Sequence, residues 1–276
     1  MNLTEYHWKS FDGLGLYGVQ WCADEHPEAV VAFVHGHGDH SRRYDEWFSK
    51  MTDRNLSVLS LDYRGHGRSQ GKRGVIRHFD DLLQDVSLLH EKAIALFPGI
   101  PVVLYGHSMG ATIVLSYILR SPTHPDLAIA TSPWLKMKYS PKKWLSLIIR
   151  VGNRIIPYLT FKTGLRSSDF STIEGFAEKR EKDEFVHSKI SARLFSEVEK
   201  ESGWIQTHFA EIKTPLLLMQ GRDDRIMTNT ATRKLNEGAP GQVNYREWKN
   251  AGHQLHNSER SNDVMDYLID WIKEGI

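Results

Sequence analysis

A single cysteine, Cys22, stands in 276 residues. It has no partner for an internal disulfide and cannot build a cysteine-rich zinc site, so a reducing compartment is expected. Net charge is nearly absent as well: 35 Lys and Arg against 34 Asp and Glu leave a formal +1. No overall field draws such a chain to nucleic acid, and any electrostatic partner must be met locally. Uninterrupted apolar segments are also missing. Ala93 to Leu119 holds no Asp, Glu, Lys or Arg and exceeds the ~20 residues of a bilayer helix, but Pro98-Gly99, Pro101 and Gly106 divide it. It reads as a short strand, a sharp turn and a packed helix inside a soluble core. Met1 to Lys9 lacks a basic region followed by an apolar one, so no signal peptide is expected and the expected location is cytoplasmic.

What is present points to one sizeable core. With 40% hydrophobic and 25% charged residues, disorder and coiled coil are excluded, and a chain of this mass buries roughly 73% of its unfolded surface. Short apolar runs at Ala29–Val34, Ser57–Leu61, Pro101–Tyr105, Leu127–Ala130 and Pro215–Met219 have the length and continuity of strands covered on both faces. Helical segments at Asp80–Phe97, Met109–Arg120, Thr228–Glu237 and Ser258–Ile272 separate or follow them. The alternation predicts an α/β fold with a mostly parallel central sheet flanked by helices, preceded by an edge hairpin of Glu5–Ser10 and Leu14–Trp21. From about Pro133 to Ala210 the alternation stops, with no clear buried strand. The expected organisation is a core in two parts, 1–132 and 212–276, with a helical cap insertion at 133–211.

Two motifs are better explained by structure than by the chemistry they imitate. Gly13, Gly15 and Gly18 match G-x-G-x-x-G, but dinucleotide binding needs those glycines between a strand and a helix N-terminus; here they fall inside a hairpin and serve turns. His35, His37, Asp39 and His40 spell H-x-H-x-D-H after a strand, as in dinuclear zinc hydrolases of the metallo-β-lactamase fold. The rival reading is an HG-x-G loop whose small residues let backbone N–H groups converge on an anionic oxygen. Met109 to Arg120 decides for the second, since it reads as a helix where the zinc fold returns to a strand.

Gly106-His107-Ser108-Met109-Gly110 satisfies G-x-S-x-G between a strand and a helix, the context of a nucleophile elbow. A serine on such a turn lifts its hydroxyl above the sheet, and glycines two positions away let strand and helix pack closely. A carboxylate and a histidine must then follow in that order. Gln220 to Arg225 follows a strand and offers both Asp223 and Asp224, and Asp223 equally suits a turn cap or an arginine partner. His253 lies between the probable strand Val243–Trp248 and the last helix, the address of a catalytic base, with His256 as a neighbour.

These pieces resemble the α/β-hydrolase superfamily of serine hydrolases, and within it the monoacylglycerol lipase and lysophospholipase group. The matching segments are Phe33–Tyr44, Asp62–Ser69, Gly106–Gly110, Gln220–Arg225 and Ala251–His253. The resemblance implies Ser108 as nucleophile, His253 as general base and acid, and Asp224, counted from Gly221, as the orienting carboxylate. It implies an oxyanion hole from the backbone N–H groups of His37 and Met109, with no cofactor and no metal. Where this family often carries a small residue, His37 stands, and its imidazole narrows the acyl site.

The expected reaction is hydrolysis of a single-chain acyl ester, a monoacylglycerol or lysophospholipid, through an acyl-enzyme. From Pro133 to Ser168 there are eight Lys or Arg and no acid. Lys142 to Tyr158 mixes spaced cations with large apolar residues, a composition suited either to an anionic lipid surface or to an ordinary cap helix over the pocket. Alternatives are a short-chain or xenobiotic carboxylesterase, a zinc hydrolase using the histidine cluster, and a non-catalytic small-ligand receptor.

Overall fold

In the computed structural model, which describes residues 2–23, 26–139, 149, 151–239 and 241–276, the apolar runs assemble into one eight-stranded sheet. The strands among the described residues are β1 Asn2–Lys9, β2 Gly15–Cys22, β3 Ala29–Val34, β4 Leu56–Asp62, β5 Val102–His107, β6 Leu127–Thr131, β7 Thr160–Lys162, β8 Lys189–Ser191, β9 Leu216–Gly221 and β10 Val243–Trp248. Their order in the large sheet is β1-β2-β4-β3-β5-β6-β9-β10. The β1–β2 hairpin and the β2–β4 pair are antiparallel and every later pair is parallel.

Continuous apolar strands are needed because helices cover both faces. Along β3, Val30, Ala32 and Val34 face a layer made by α2 (Asp80–Leu96), α3 (Met109–Arg120) and the helix Ala192–His208. Ala29, Val31 and Phe33 face the opposite layer, made by α1 (Asp45–Thr52) and the helix Ser261–Gly275. In that second layer Phe33 meets Tyr44, Phe48 and Tyr105 with ring centroids 4.5, 5.0 and 4.9 Å apart, tilted and edge-on contacts of the kind aromatic quadrupoles favour. The glycines of the dinucleotide-like motif are turn and strand residues: Gly13 has φ +82, and a side chain at Gly18 would strike the Trp8 ring.

Three expectations change. The strand before the elbow runs on through Gly106 and His107, because both pair in parallel register with β6. The last helix starts at Ser261 and reaches Gly275, after a separate 3-10 turn at Leu255–Asn257. The segment read as having no clear buried strand contains the short antiparallel pair β7–β8; three-residue strands are too short to show a period. Its final helix, Ala192–His208, packs beside α3, where Glu201 accepts from Ser116 Oγ at 2.6 Å and pairs with Arg120 at 2.9 Å. Lys142, Lys143, Trp144, Leu147, Ile148 and Arg150 lie outside the described residues. Among the described residues, no helix is long and apolar enough to cross a membrane.

Candidate active site

Ser108 occupies the single-residue turn between β5 and α3 with φ 55 and ψ −120. A non-glycine residue held there costs on the order of 1–3 kcal/mol, so its surroundings must hold it. Ser108 N–H donates to the Thr131 carbonyl at 2.9 Å, and the Ser108 carbonyl accepts from Thr112 N at 3.2 Å. The flanking glycines are steric necessities: a side chain at Gly106 would overlap the Gly110 backbone, and one at Gly110 would overlap the Val34 carbonyl.

From this turn a hydrogen-bonded line runs into the protein. Ser108 Oγ lies 2.9 Å from His253 Nε2, and His253 Nδ1 lies 2.9 Å from Asp224 Oδ2. Ser108 is 7% exposed, and His253 and Asp224 are fully buried. The second oxygen of Asp224 accepts from the N–H groups of Ile226 and Met227 at 2.8 and 2.9 Å, so its carboxylate is held by the turn after β9. Asp223 is exposed, with its N–H on the Ala251 carbonyl. Of the two acids, only Asp224 meets the histidine. The loop bearing His253 is tied down by Ser132 Oγ, which donates to the His253 carbonyl at 2.7 Å, and by Gln254 N–H, which donates to the Phe170 carbonyl at 3.0 Å.

Two other histidines crowd His253. His107 lies 5.2 Å from it, ring centroid to centroid, and His256 lies 4.9 Å from His107. Burial holds His107 well below its ordinary range and pushes His256 down to about 3. Both are therefore neutral and add no positive charge next to His253.

The loop His35-Gly36-His37-Gly38 lies opposite the elbow. A side chain at Gly36 would come within 3.2 Å of Ser108 Cβ. Gly38, at φ +70, leaves room for the His187 backbone, whose N–H donates to the Gly38 carbonyl at 3.0 Å. Met109 N–H is at the first position of a helix, where no intrahelical acceptor exists, and no backbone acceptor for it or for His37 N–H occurs among the described residues. The side chains of the H-x-H-x-D-H spacing diverge. His35 stacks on Tyr63 at 4.2 Å, His40 Nε2 sits 2.9 Å from Asp183 Oδ2, and Asp39 pairs with Arg43 at 2.8 Å. Burial opposes the charged form of Asp39, but Arg180 and Arg43 outweigh it and keep its carboxyl below the usual carboxylate range. Among the described residues, no three His, Cys, Asp or Glu side chains are grouped to hold a metal ion.

Above Ser108 opens a cavity of about 540 Å³, walled by Trp134, Met137, Phe170, Ile190, Phe195 and Met227. Most of these walls come from segments without any motif, and sequence reasoning missed them. It also missed Arg180, which is buried, lies 4.3 Å over the Phe170 ring and reaches Asp39 Oδ2 at 3.4 Å. An arginine in a helix of mixed charge carries no signal of burial; only the contact with Asp39 identifies it.

The family model described as serine aminopeptidase, S33 (Hydrolase_4) matches residues 25–260. A monoglyceride lipase homolog of monkeypox virus is 31% identical over 93% of this chain and 94% of its own. An uncharacterized abhydrolase domain-containing protein of Dictyostelium discoideum is also 31% identical over 93% of the chain, which spans only 27% of that longer relative. Among solved structures, the monoacylglycerol lipase of Paleococcus ferrophilus superposes with a TM-score of 0.83 at 25% identity, covering all of both chains.

Proposed function

The chain belongs to the serine aminopeptidase S33 family of α/β-hydrolases and is a lipid ester hydrolase; from that premise we propose that Ser108, His253 and Asp224 carry out the hydrolysis through an acyl-enzyme. The observation that carries the proposal is the 2.9 Å and 2.9 Å relay from Ser108 Oγ through His253 to Asp224, buried at the floor of a cavity with a large apolar wall. His253 takes the Ser108 proton as the hydroxyl attacks the ester carbonyl, and the N–H groups of His37 and Met109 receive the oxyanion. Asp224 keeps the imidazole in the tautomer that bears its proton on Nδ1. Collapse of the tetrahedral intermediate expels the alcohol, which takes the proton from His253. Water then repeats the sequence on the acyl-enzyme with the same base. No step calls for a metal or an organic cofactor.

The substrate class in this reading is a single-chain acyl ester, a monoacylglycerol or lysophospholipid. A cavity of about 540 Å³ with aromatic and aliphatic walls accepts one acyl chain. Residues 133–211 serve as the cap between core parts 1–132 and 212–276, anchored to the core where Glu201 of its last helix meets Ser116 and Arg120 of α3. The lone thiol of Cys22 supports a cytoplasmic setting. A panel of monoacylglycerols, lysophospholipids, p-nitrophenyl esters of graded length and an aminoacyl anilide, run with and without EDTA, tests the reading. The expected result is a preference for medium or long acyl esters, unchanged by chelator. Turnover confined to the anilide, or activity lost with EDTA and restored by zinc, would overturn it.

The cap also carries the means for contact with an anionic lipid surface. Ile155, Ile156, Tyr158 and Leu159 are 72, 50, 45 and 60% exposed, and Arg154, Lys162 and Arg166 are exposed near them in the chain. Each basic residue near such a surface contributes about 1 kcal/mol, screened by salt. Arg154→Glu combined with Ile155→Asp is expected to lower partitioning onto phosphatidylserine vesicles by about tenfold or more, with hydrolysis of a soluble short-chain ester nearly unchanged. Sedimentation at low and high salt reads this directly. Equal recovery of wild-type protein in the supernatant with and without vesicles would reduce the cap to a cover over the pocket.

A further inference from the structure

We propose that Arg180 anchors an anion subsite in the catalytic cavity, selecting single-chain acyl esters whose leaving alcohol carries a carboxylate or a phosphate. The inference rests on the ester-hydrolase reading above and narrows its substrate class. Arg180 stands in the helix Phe176–Glu181 of the cap, lines the same cavity as Ser108 and His253, and is only 6% exposed. Its guanidinium carbon lies 4.3 Å over the Phe170 ring, and that ring packs edge-on against His253 at 5.8 Å. In the proposed mechanism the alcohol takes its proton from His253, so Arg180 sits on the side of the leaving group.

A buried guanidinium needs its charge balanced and its N–H groups paired, and the protein does this for Arg180 only in part. Nη1 reaches Asp39 Oδ2 at 3.4 Å, the one ion pair of Arg180 among the described residues. That carboxylate is shared with Arg43, which is nearer at 2.8 Å. The stack on Phe170 uses the face of the guanidinium and leaves its in-plane donors free. Nε and Nη2 make no hydrogen bond among the described residues, and neither is sealed off as an enclosed unpaired atom, so both open into the cavity that Arg180 lines. Together they form one edge of the planar fork, which matches two oxygens of a carboxylate or phosphate. A neutral hydroxyl offers neither the second oxygen nor the charge. Two acids line the same cavity without pairing with Arg180: Asp183 is engaged by His40 at 2.9 Å, and Glu181 is exposed. Lys162 and Arg166, both exposed, add two further cations to the lining.

Two substrate pairs, each used as dissolved monomers, distinguish the kinds of anion. One is 1-octanoylglycerol 3-phosphate against 1-octanoylglycerol; the other is O-octanoylglycolate against 2-hydroxyethyl octanoate. In at least one pair the wild type is expected to favour the anionic member about tenfold or more in kcat/KM, and the pair that responds identifies the anion. Arg180→Gln should bring that ratio to within about twofold of unity, chiefly by raising KM for the anionic ester, and Arg180→Lys should keep part of it. A measurement on the wild type alone covers a variant that fails to fold: glycerol 3-phosphate or glycolate should inhibit hydrolysis of p-nitrophenyl butanoate competitively, and glycerol at the same concentration should not. Wild-type ratios near unity or below it in both pairs overturn the inference. So does a preference that Arg180→Gln leaves unchanged, even with both rates lowered, since Arg180 then serves the fold or the oxyanion and not the head group. Each of these leaves the ester-hydrolase reading intact, whereas absence of turnover for all the esters in the wild type overturns both.

Discussion

Replacing Ser108 by alanine is expected to lower kcat for ester hydrolysis by about 10⁴ to 10⁶. The hydroxyl 2.9 Å from His253 Nε2 is the atom that becomes acylated in the proposed mechanism, and no neighbouring group can take its place: His107 is turned to Thr131 Oγ1 at 3.1 Å, and Thr112 Oγ1 to the Trp134 carbonyl at 3.0 Å. The fold should survive. Alanine at φ 55 meets the same backbone sterics as serine, and the backbone hydrogen bonds that hold the turn use Ser108 N–H and C=O, both retained. Steady-state kinetics on a p-nitrophenyl ester, with circular dichroism as the control for folding, measures the effect. Near-wild-type turnover by a folded Ser108→Ala protein would end the serine mechanism, as would a fluorophosphonate that leaves wild-type Ser108 unlabelled.

Asp224→Asn should cost about 10³ to 10⁴ in kcat, and Asp223→Asn should cost little. The reason is the geometry around the carboxylate. Asp224 Oδ1 accepts from two backbone N–H groups, those of Ile226 and Met227. In the asparagine variant the carbonyl oxygen must stay on that side, which turns the NH₂ group toward His253 Nδ1. Nδ1 then has to accept, the imidazole proton moves to Nε2, and the base is lost at the nitrogen facing Ser108. Asp223 is solvent-exposed and faces no histidine, so its amide variant leaves the tautomer alone. Parallel kinetics on the two variants provide the check; a large loss at 223 with a small one at 224 would reverse the assignment of the third residue.

Much of the fold was legible before any coordinates. Strands such as β3 and β9 are apolar without interruption because helices lie on both sides, and that continuity alone signals a parallel sheet. The elbow at Gly106–Gly110 was readable for a similar reason: all its determinants are adjacent in the chain, a strand, two small residues, a serine and a helix start. The 3-10 turn at Leu255–Asn257 and the β7–β8 pair were not readable, since elements of three residues carry too little periodicity to distinguish them from loop.

Composition and local pattern sufficed for the layered α/β architecture, the tight strand-to-helix turn at Ser108 and the position of His253 after β10, because each of these is encoded within a few consecutive residues whose backbone conformation is set by sterics close by. Packing alone settled the rest. Asp223 and Asp224 are neighbours of the same chemical type, and only the turn after β9, which buries one and exposes the other, separates them. The histidines after β3 look like metal ligands in a line of text, yet Tyr63, Asp183 and the cavity draw their rings apart. Arg180 and His187 have no motif at all. Their partners, Asp39 and Gly65, are remote in the chain and are brought within reach when the segment between β6 and β9 folds back over the sheet, so the information that places them is a long-range contact and not a spacing.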